Sequence, residues 1–124
     1  MAKKVILAID DNLTQLDIFQ QLLTPHFDVR VVKAASDAMR YLNNNEADLI
    51  LLDIDMPNIS GFEFLSDIRR IPSYLLVPII IVSGKTGADF FTEARNSTAF
   101  DVLSKPVTQE MLEDTIERAL ASVK

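Results

Sequence analysis

The sequence predicts an α/β domain: a doubly wound, five-stranded parallel sheet of strand order 2-1-3-4-5, with helices on both faces. Two observations predict it. Short apolar runs of strand length alternate five times with segments of helical period. Most of the runs are apolar at consecutive positions rather than at every second one, which is the pattern of strands buried on both faces. Right-handed crossovers restrict the topology further, and 2-1-3-4-5 is one of the two common doubly wound orders.

The elements follow in order. Val5–Ile9 is a fully buried strand. Leu13–Leu23 carries Leu13, Leu16, Phe19 or Gln20, and Leu23 at helical spacing, and Pro25 stops it. Residues 29–32 form a second short strand. Ser36 caps a helix running to about Leu42, which Asn43-Asn44-Asn45 ends. Residues 48–52 are the third strand, 57–61 a turn, and 62–71 a helix stopped by Pro72. Residues 77–82, rich in β-branched side chains, are the fourth strand, with Pro78 near its start where proline is tolerated. Thr86 or Gly87 opens a helix to about Asn96. Residues 100–103 are the last strand. Thr108 caps a final helix whose apolar stripe is Met111 or Leu112, Ile116, and Ala119 or Leu120.

At 124 residues the chain suits one domain over 1–124, with no output domain in it, and 48% hydrophobic residues are enough for a full core. No apolar run approaches the ~18 residues of a membrane span. Met1-Ala2-Lys3-Lys4 precedes a short apolar run and then Asp10-Asp11, which is too short and too acidic for a secretory signal. The chain has no cysteine and a single histidine, His26. Disulfides, thiolate zinc sites, thiol nucleophiles and multi-histidine metal sites are excluded. Such cysteine usage is compatible with a reducing compartment, and the expected location is cytoplasmic. The net charge of −6 makes the domain a poor binder of the nucleic-acid backbone, so neither nucleic acid nor membrane is an expected partner.

Four of the apolar runs lead into polar clusters: Asp10-Asp11, Asp53, Ser83 and Lys105-Pro106. In a parallel sheet these lie along one edge, and open α/β sheets bind ligands there, where the strand order reverses. Between the first and third strands that place holds Asp10, Asp11 and Asp53. A helix cap would explain one of these carboxylates, not all three. Neighbouring carboxylates repel one another by ~1 kcal/mol or more per contact, and a hard cation relieves this. Mg2+, which takes few carboxylates, several waters and phosphate oxygens, suits the set. Asp53 is the nucleophile candidate, since a carboxylate can accept a phosphoryl group as an aspartyl-phosphate. Mg2+ and Lys105 would neutralise the transferred group. Ser83 would donate its hydroxyl to a phosphoryl oxygen, and Gly84 leaves backbone space and a free N–H beside it. Lys105-Pro106 is a candidate cis peptide, proline being the residue at which cis is cheap.

These motifs identify a resemblance. Asp10-Asp11-Asn12, Leu51-Leu52-Asp53-Ile54-Asp55-Met56-Pro57 with Gly61, Val82-Ser83-Gly84 and Ser104-Lys105-Pro106 resemble a CheY-like response-regulator receiver domain of two-component signalling, with the flavodoxin-like (βα)5 fold. The gaps of 42, 30 and 22 residues between Asp11, Asp53, Ser83 and Lys105 fit as well. Each motif alone is weak; four in order, covering Val5 to Leu120, are strong. The resemblance implies a phosphorelay in which a sensor histidine kinase or histidine phosphotransfer protein hands its phosphoryl group to Asp53. It implies Mg2+ held by Asp10, Asp11, Asp53 and the backbone carbonyl of Asp55. It implies that phosphorylation draws Ser83 inward and shifts the surface of the fourth helix, fifth strand and fifth helix toward an unknown protein target. Such a domain is not an enzyme in the ordinary sense: it catalyses only its own phosphorylation and dephosphorylation.

The chain departs from the family pattern at several positions. Val102 stands where the family usually has an aromatic switch residue. Phe100 shares its parity and hence its strand face, and is the candidate substitute. Thr98 stands where the family often has glycine. Asp55, two after Asp53, and Lys85, two after Ser83, rim the site and are expected to pair across it and hinder the water that hydrolyses the acyl phosphate. Three other readings compete. A phosphorylation-independent pseudo-receiver draws support from Val102 but not from the complete acceptor set. A haloacid-dehalogenase-type phosphatase would use Asp53-Ile54-Asp55, but there the pair follows the first strand. A flavin carrier needs a hydroxyl- and glycine-rich loop where Asp10-Asp11 would repel phosphate.

Overall fold

The computed structural model describes residues 3–57 and 59–123. Met1 and Ala2, from the segment read above as no secretory signal, lie outside the described residues, as do Asn58 of the 57–61 turn and Lys124. Among the described residues, five strands alternate with five α-helices. The strands are β1 (Val5–Ile9), β2 (Asp28–Val32), β3 (Leu49–Asp53), β4 (Ile79–Ser83) and β5 (Asp101–Ser104). The helices are α1 (Leu13–Leu23), α2 (Ala35–Asn44), α3 (Gly61–Arg69), α4 (Ala88–Asn96) and α5 (Gln109–Ala121). Every strand pair is parallel, and the order is β2-β1-β3-β4-β5, the predicted topology. No helix among the described residues is long and apolar enough to cross a membrane.

The period of two along each strand sorts the core into two layers. Leu7, Ile9, Ile50, Leu52, Ile79 and Ile81 face α2, α3 and α4, where they meet Ala38, Leu42, Phe64, Leu65, Ile68 and Ala94. Ile6, Ala8, Leu49, Leu51, Ile80 and Val82 face α1 and α5, against Leu16, Phe19, Leu23, Leu112, Ile116 and Ala119. Consecutive strand residues are therefore apolar because each face has its own helices to cover it. The predicted stripe of α5 narrows to Leu112, Ile116 and Ala119, with Met111 exposed. Leu13, expected on the stripe of α1, is 65% exposed.

Local chemistry sets the helix starts. Asn12, Ser60 and Thr108 cap α1, α3 and α5, their side-chain oxygens accepting the N–H of Gln15, Glu63 and Met111. Gly87 opens α4 at φ +122°, a conformation that favours glycine. Gly61 begins α3 against the backbone of Ile54: a Cβ there would lie 2.7 Å from Ile54 Cα, so the residue is required by close approach.

Several boundaries differ from expectation. Ser36 does not cap α2; the cap position is Ala34, without a side-chain hydrogen bond, and Ser36 lies in the first turn. The serine hydroxyl suits a cap, but the chain leaving β2 is already helical at Ala35. Asn43 and Asn44 continue the helix, because Asn44 Nδ2 and Asn45 Nδ2 donate back to the carbonyls of Arg40 and Tyr41. The helix α3 starts one residue earlier than predicted, on its Ser60 cap, and ends at Arg69, ahead of a 3-10 turn at Pro72–Tyr74. The strands β4 and β5 each begin and end later than predicted. Phe100 consequently precedes β5, although its N–H still donates to Ile79 O at 2.7 Å.

Candidate functional site

The sheet order reverses between β1 and β3, and the residues leaving their carboxyl ends are Asp10, Asp11 and Asp53. Each of the three offers a carboxylate oxygen, and those oxygens lie within 4.8 Å of one another. Asp10 and Asp53 are buried, at 0% and 3% exposure, and Asp11 is exposed at the rim. Asp10 Oδ1 accepts the N–H of Asn12 at 2.9 Å, which ties it to the start of α1. Asp53 Oδ1 accepts the N–H of Asp55 at 3.0 Å.

Lys105 answers this charge from across the sheet. Its Nζ stands 3.2 Å from Asp10 Oδ2 and 3.6 Å from Asp53 Oδ1. The contact with Asp10 is an ion pair, and Asp10 Oδ2, buried, has no other polar partner. Lys105 is positioned by its own N–H, which donates to Ser83 O at 2.8 Å, and the Lys105–Pro106 peptide is cis.

The electrostatics follow from burial and crowding. Burial pushes the Asp53 carboxyl up to about 6, and the neighbouring Asp10 adds to the rise. The Asp55 N–H and Lys105 pull the other way without cancelling it. Burial alone would lower the Lys105 ammonium, but attraction to Asp10 and Asp53 outweighs it and holds the lysine above its ordinary value. One cation therefore faces a surplus of negative charge. The donor set is all oxygen, with no cysteine in the chain and His26 elsewhere on the surface. A buried carboxylate oxygen answered by a single ammonium, beside two more carboxylates, suits a hard divalent cation.

Ser83 ends β4 fully buried. Its Oγ donates to Asp55 Oδ2 at 3.0 Å and accepts the N–H of Lys85 at 2.9 Å. Gly84 N–H also donates to Asp55 Oδ2, at 3.1 Å. Lys85 Nζ lies 3.7 Å from Asp55 Oδ1, so the two rim residues do approach each other. The sequence pointed to the Asp55–Lys85 pair but not to the bonds from Ser83 and Gly84. Only the loop after β3, folding back toward β4, reveals them. Val102 and Phe100 lie outside this cluster. Both line a cleft with Phe91, Ala94 and Arg95 beside α4, Val102 half-buried and Phe100 36% exposed.

Fold and pocket together define a class: a doubly wound α/β domain with an acidic cup at its switch point, faced by one lysine and one buried hydroxyl. Comparison with known proteins narrows the class. Residues 6–117 match the response regulator receiver domain family. The 3',5'-cyclic-nucleotide phosphodiesterase regA of Dictyostelium discoideum is 34% identical over 98% of this chain and 16% of its own length. A protein-glutamate methylesterase/protein-glutamine glutaminase of Bradyrhizobium diazoefficiens is 34% identical over 96% of this chain and 34% of its own. The chain thus spans about a third or less of these curated relatives. Among solved structures, a CheY-like receiver domain protein from Methanospirillum hungatei superposes with a TM-score of 0.88 at 25% identity, covering 98% of this chain and 96% of that one. This chain belongs to the response regulator receiver domain family, and its function is that of a receiver in two-component signalling. The phosphatase-type and flavin-carrier readings are set aside by that membership.

Proposed function

We propose that Asp53 accepts a phosphoryl group from a phosphohistidine on a sensor histidine kinase or histidine phosphotransfer protein, and that residues 1–124 act as one receiver unit. The observation that carries this is Lys105 Nζ set between Asp10 and Asp53, with Lys105 Nζ and the Asp55 N–H both approaching Asp53 at Oδ1. Oδ2 is left to form the new bond. That oxygen attacks phosphorus as the bond from phosphorus to the histidine nitrogen breaks, and the imidazole leaves with the electron pair. Little covalent assistance is needed; positioning and neutralisation of the phosphoryl oxygens dominate.

Asp10, Asp11, Asp53 and the backbone carbonyl of Asp55 would hold Mg2+. When bound, that ion supplies positive charge against the phosphoryl oxygens. Lys105 supplies the fixed positive charge from the chain itself. Ser83 Oγ–H and Gly84 N–H are the donors assigned to a phosphoryl oxygen. Movement of Ser83 toward that oxygen would draw on β4 and pass to the α4–β5–α5 face, the surface proposed to meet a downstream protein. With valine at position 102 the signal cannot travel through an aromatic there; Phe100, in the same cleft beside α4, is the proposed alternative. We assign the domain to the cytoplasm and treat it as a signalling module that catalyses only its own phosphorylation and dephosphorylation. Neither nucleic acid nor membrane is proposed as a partner.

Incubation with acetyl phosphate and Mg2+ tests the assignment. The intact mass of the wild type should rise by one phosphoryl group, about 80 Da, and that of Asp53→Asn should not. A wild type that never gains mass, or an asparagine variant that gains as much, would refute it. Unchanged uptake when Mg2+ is chelated would count against the metal assignment alone.

A further inference from the structure

The donors assigned to the phosphoryl group already have an acceptor. Asp55 Oδ2 takes the Ser83 Oγ–H at 3.0 Å and the Gly84 N–H at 3.1 Å, and Asp55 Oδ1 stands 3.7 Å from Lys85 Nζ. A carboxylate oxygen and a phosphoryl oxygen are both anionic acceptors, and each forms charge-assisted hydrogen bonds with such donors. We propose that the Asp55 side chain is a tethered stand-in for the phosphoryl group, filling the Ser83–Gly84 donor pair until phosphorylation displaces it. The inference rests on the phosphoacceptor reading above.

Three features support it. Ser83 is fully buried, so its hydroxyl cannot turn to bulk water and needs a protein acceptor in the resting state. Asp55 is attached two residues from Asp53, so it competes at the high effective concentration of an intramolecular ligand. Free phosphate or a stray carboxylate must overcome that competition, whereas a phosphoryl group delivered onto Asp53 becomes tethered itself and competes on equal terms. Lys85 gives the displaced carboxylate a place to go. Its side chain is 61% exposed and already close to Oδ1, so the pair can swing outward together. Asp55 is thus a positioning and gating residue rather than a catalytic one. Its backbone carbonyl, the proposed metal contact, is untouched when only the side chain changes.

The test compares wild type, Asp55→Asn and Asp55→Ala with acetyl phosphate at saturating Mg2+, reading the phosphorylated mass against time. In each case the Asp53 oxygen–phosphorus bond forms, the bond from phosphorus to the acetyl oxygen breaks, and acetate leaves with the electron pair. Asp55→Ala should phosphorylate about tenfold faster, the effect of removing hydrogen bonds to a carboxylate that must otherwise break. Asp55→Asn, which keeps an acceptor without the charge, should fall between. The ratio should survive at about 0.5 M salt, since the competition is by contact rather than by a screened field. In metal-free, unphosphorylated protein the Gly84 amide proton should move upfield in Asp55→Ala. Equal nonzero rates, a ratio that collapses to one in high salt, or an unmoved Gly84 resonance would each overturn the stand-in while leaving Asp53 as acceptor. If no folded variant gains a phosphoryl group, the acceptor reading fails and the stand-in falls with it.

Discussion

Asp53→Asn is expected to stabilise the metal-free protein by about 2 kcal/mol at about pH 7.5, and to lose that advantage as the pH is lowered. Asp53 is 3% exposed and sits against the buried Asp10. Burial, helped by Asp10, raises its carboxyl from 3.8 to about 6. A group whose folded value lies above its unfolded value binds protons more tightly when folded, so it contributes stability at low pH. That contribution is complete below the unfolded value and is lost as the pH rises through the folded one. The wild type should therefore weaken between about pH 4 and pH 7 relative to a variant that cannot ionise there. At about 1.4 kcal/mol per pH unit the full shift would reach about 3 kcal/mol. The attraction of Lys105 is already contained in that shift, and local relaxation and water penetration, which temper burial penalties, bring the net nearer 2. Urea unfolding of both proteins without metal, at several pH values, checks the sign. Equal stabilities near neutrality would show that Lys105 already satisfies the site. Added Mg2+ should narrow the gap, because a ligand at 100 times its Kd stabilises the form that binds it by about 2.7 kcal/mol. The proposed phosphoacceptor is thus a residue whose charge burial and the neighbouring Asp10 disfavour.

How much of this could be seen in the sequence depends on which kind of information each feature needs. The strands β1, β3 and β4 were legible because burial on both faces demands unbroken apolar runs, such as Leu49-Ile50-Leu51-Leu52. The bounds of α1 were legible because its apolar residues recur at helical spacing from Leu13 to Leu23 and Pro25 follows. The cup was legible because parallel strands bring their ends to one edge, so Asp10, Asp53 and Ser83 must converge if the topology is right. Features that depend on backbone direction over two or three residues were not. Ser36 carries a good capping side chain, but the turn out of β2 starts the helix before reaching it. Phe100 and Val102 share parity, yet β5 begins between them. The bonds from Ser83 and Gly84 to Asp55 were hidden for the same reason: spacing says that Asp55 is near, not which donors its carboxylate reaches.

Arg69 is the largest of these hidden features, and Arg69→Met is expected to destabilise the protein by about 3 kcal/mol. At the end of α3 its guanidinium is half-buried, with no carboxylate paired to it among the described residues. Burial accordingly pulls it below its ordinary value. It is held instead by neutral oxygens. Nε donates to Thr98 Oγ1 at 3.0 Å, Nη2 to Thr98 O at 3.0 Å, and Nη1 to Tyr74 O at 2.8 Å and to Val77 O. One side chain thereby joins α3, the connection into β4, and the turn between α4 and β5. Thr98 offers this guanidinium both its hydroxyl and its carbonyl. Methionine would fill the volume but leave several carbonyls short of a donor. Lysine, a point charge on a flexible stem, cannot reproduce the fork and should recover less than half of the loss. Thr98→Val should cost about 1 kcal/mol in the wild type and almost nothing in the methionine background. Denaturant titration of this double-mutant cycle reads the coupling directly, and strictly additive losses would mean that the two residues act apart. The turn it anchors leads into β5, which carries Lys105 to the acidic cup. Loosening Arg69 should therefore slow uptake of a phosphoryl group from acetyl phosphate as well as lower stability, although Arg69 does not belong to the cup.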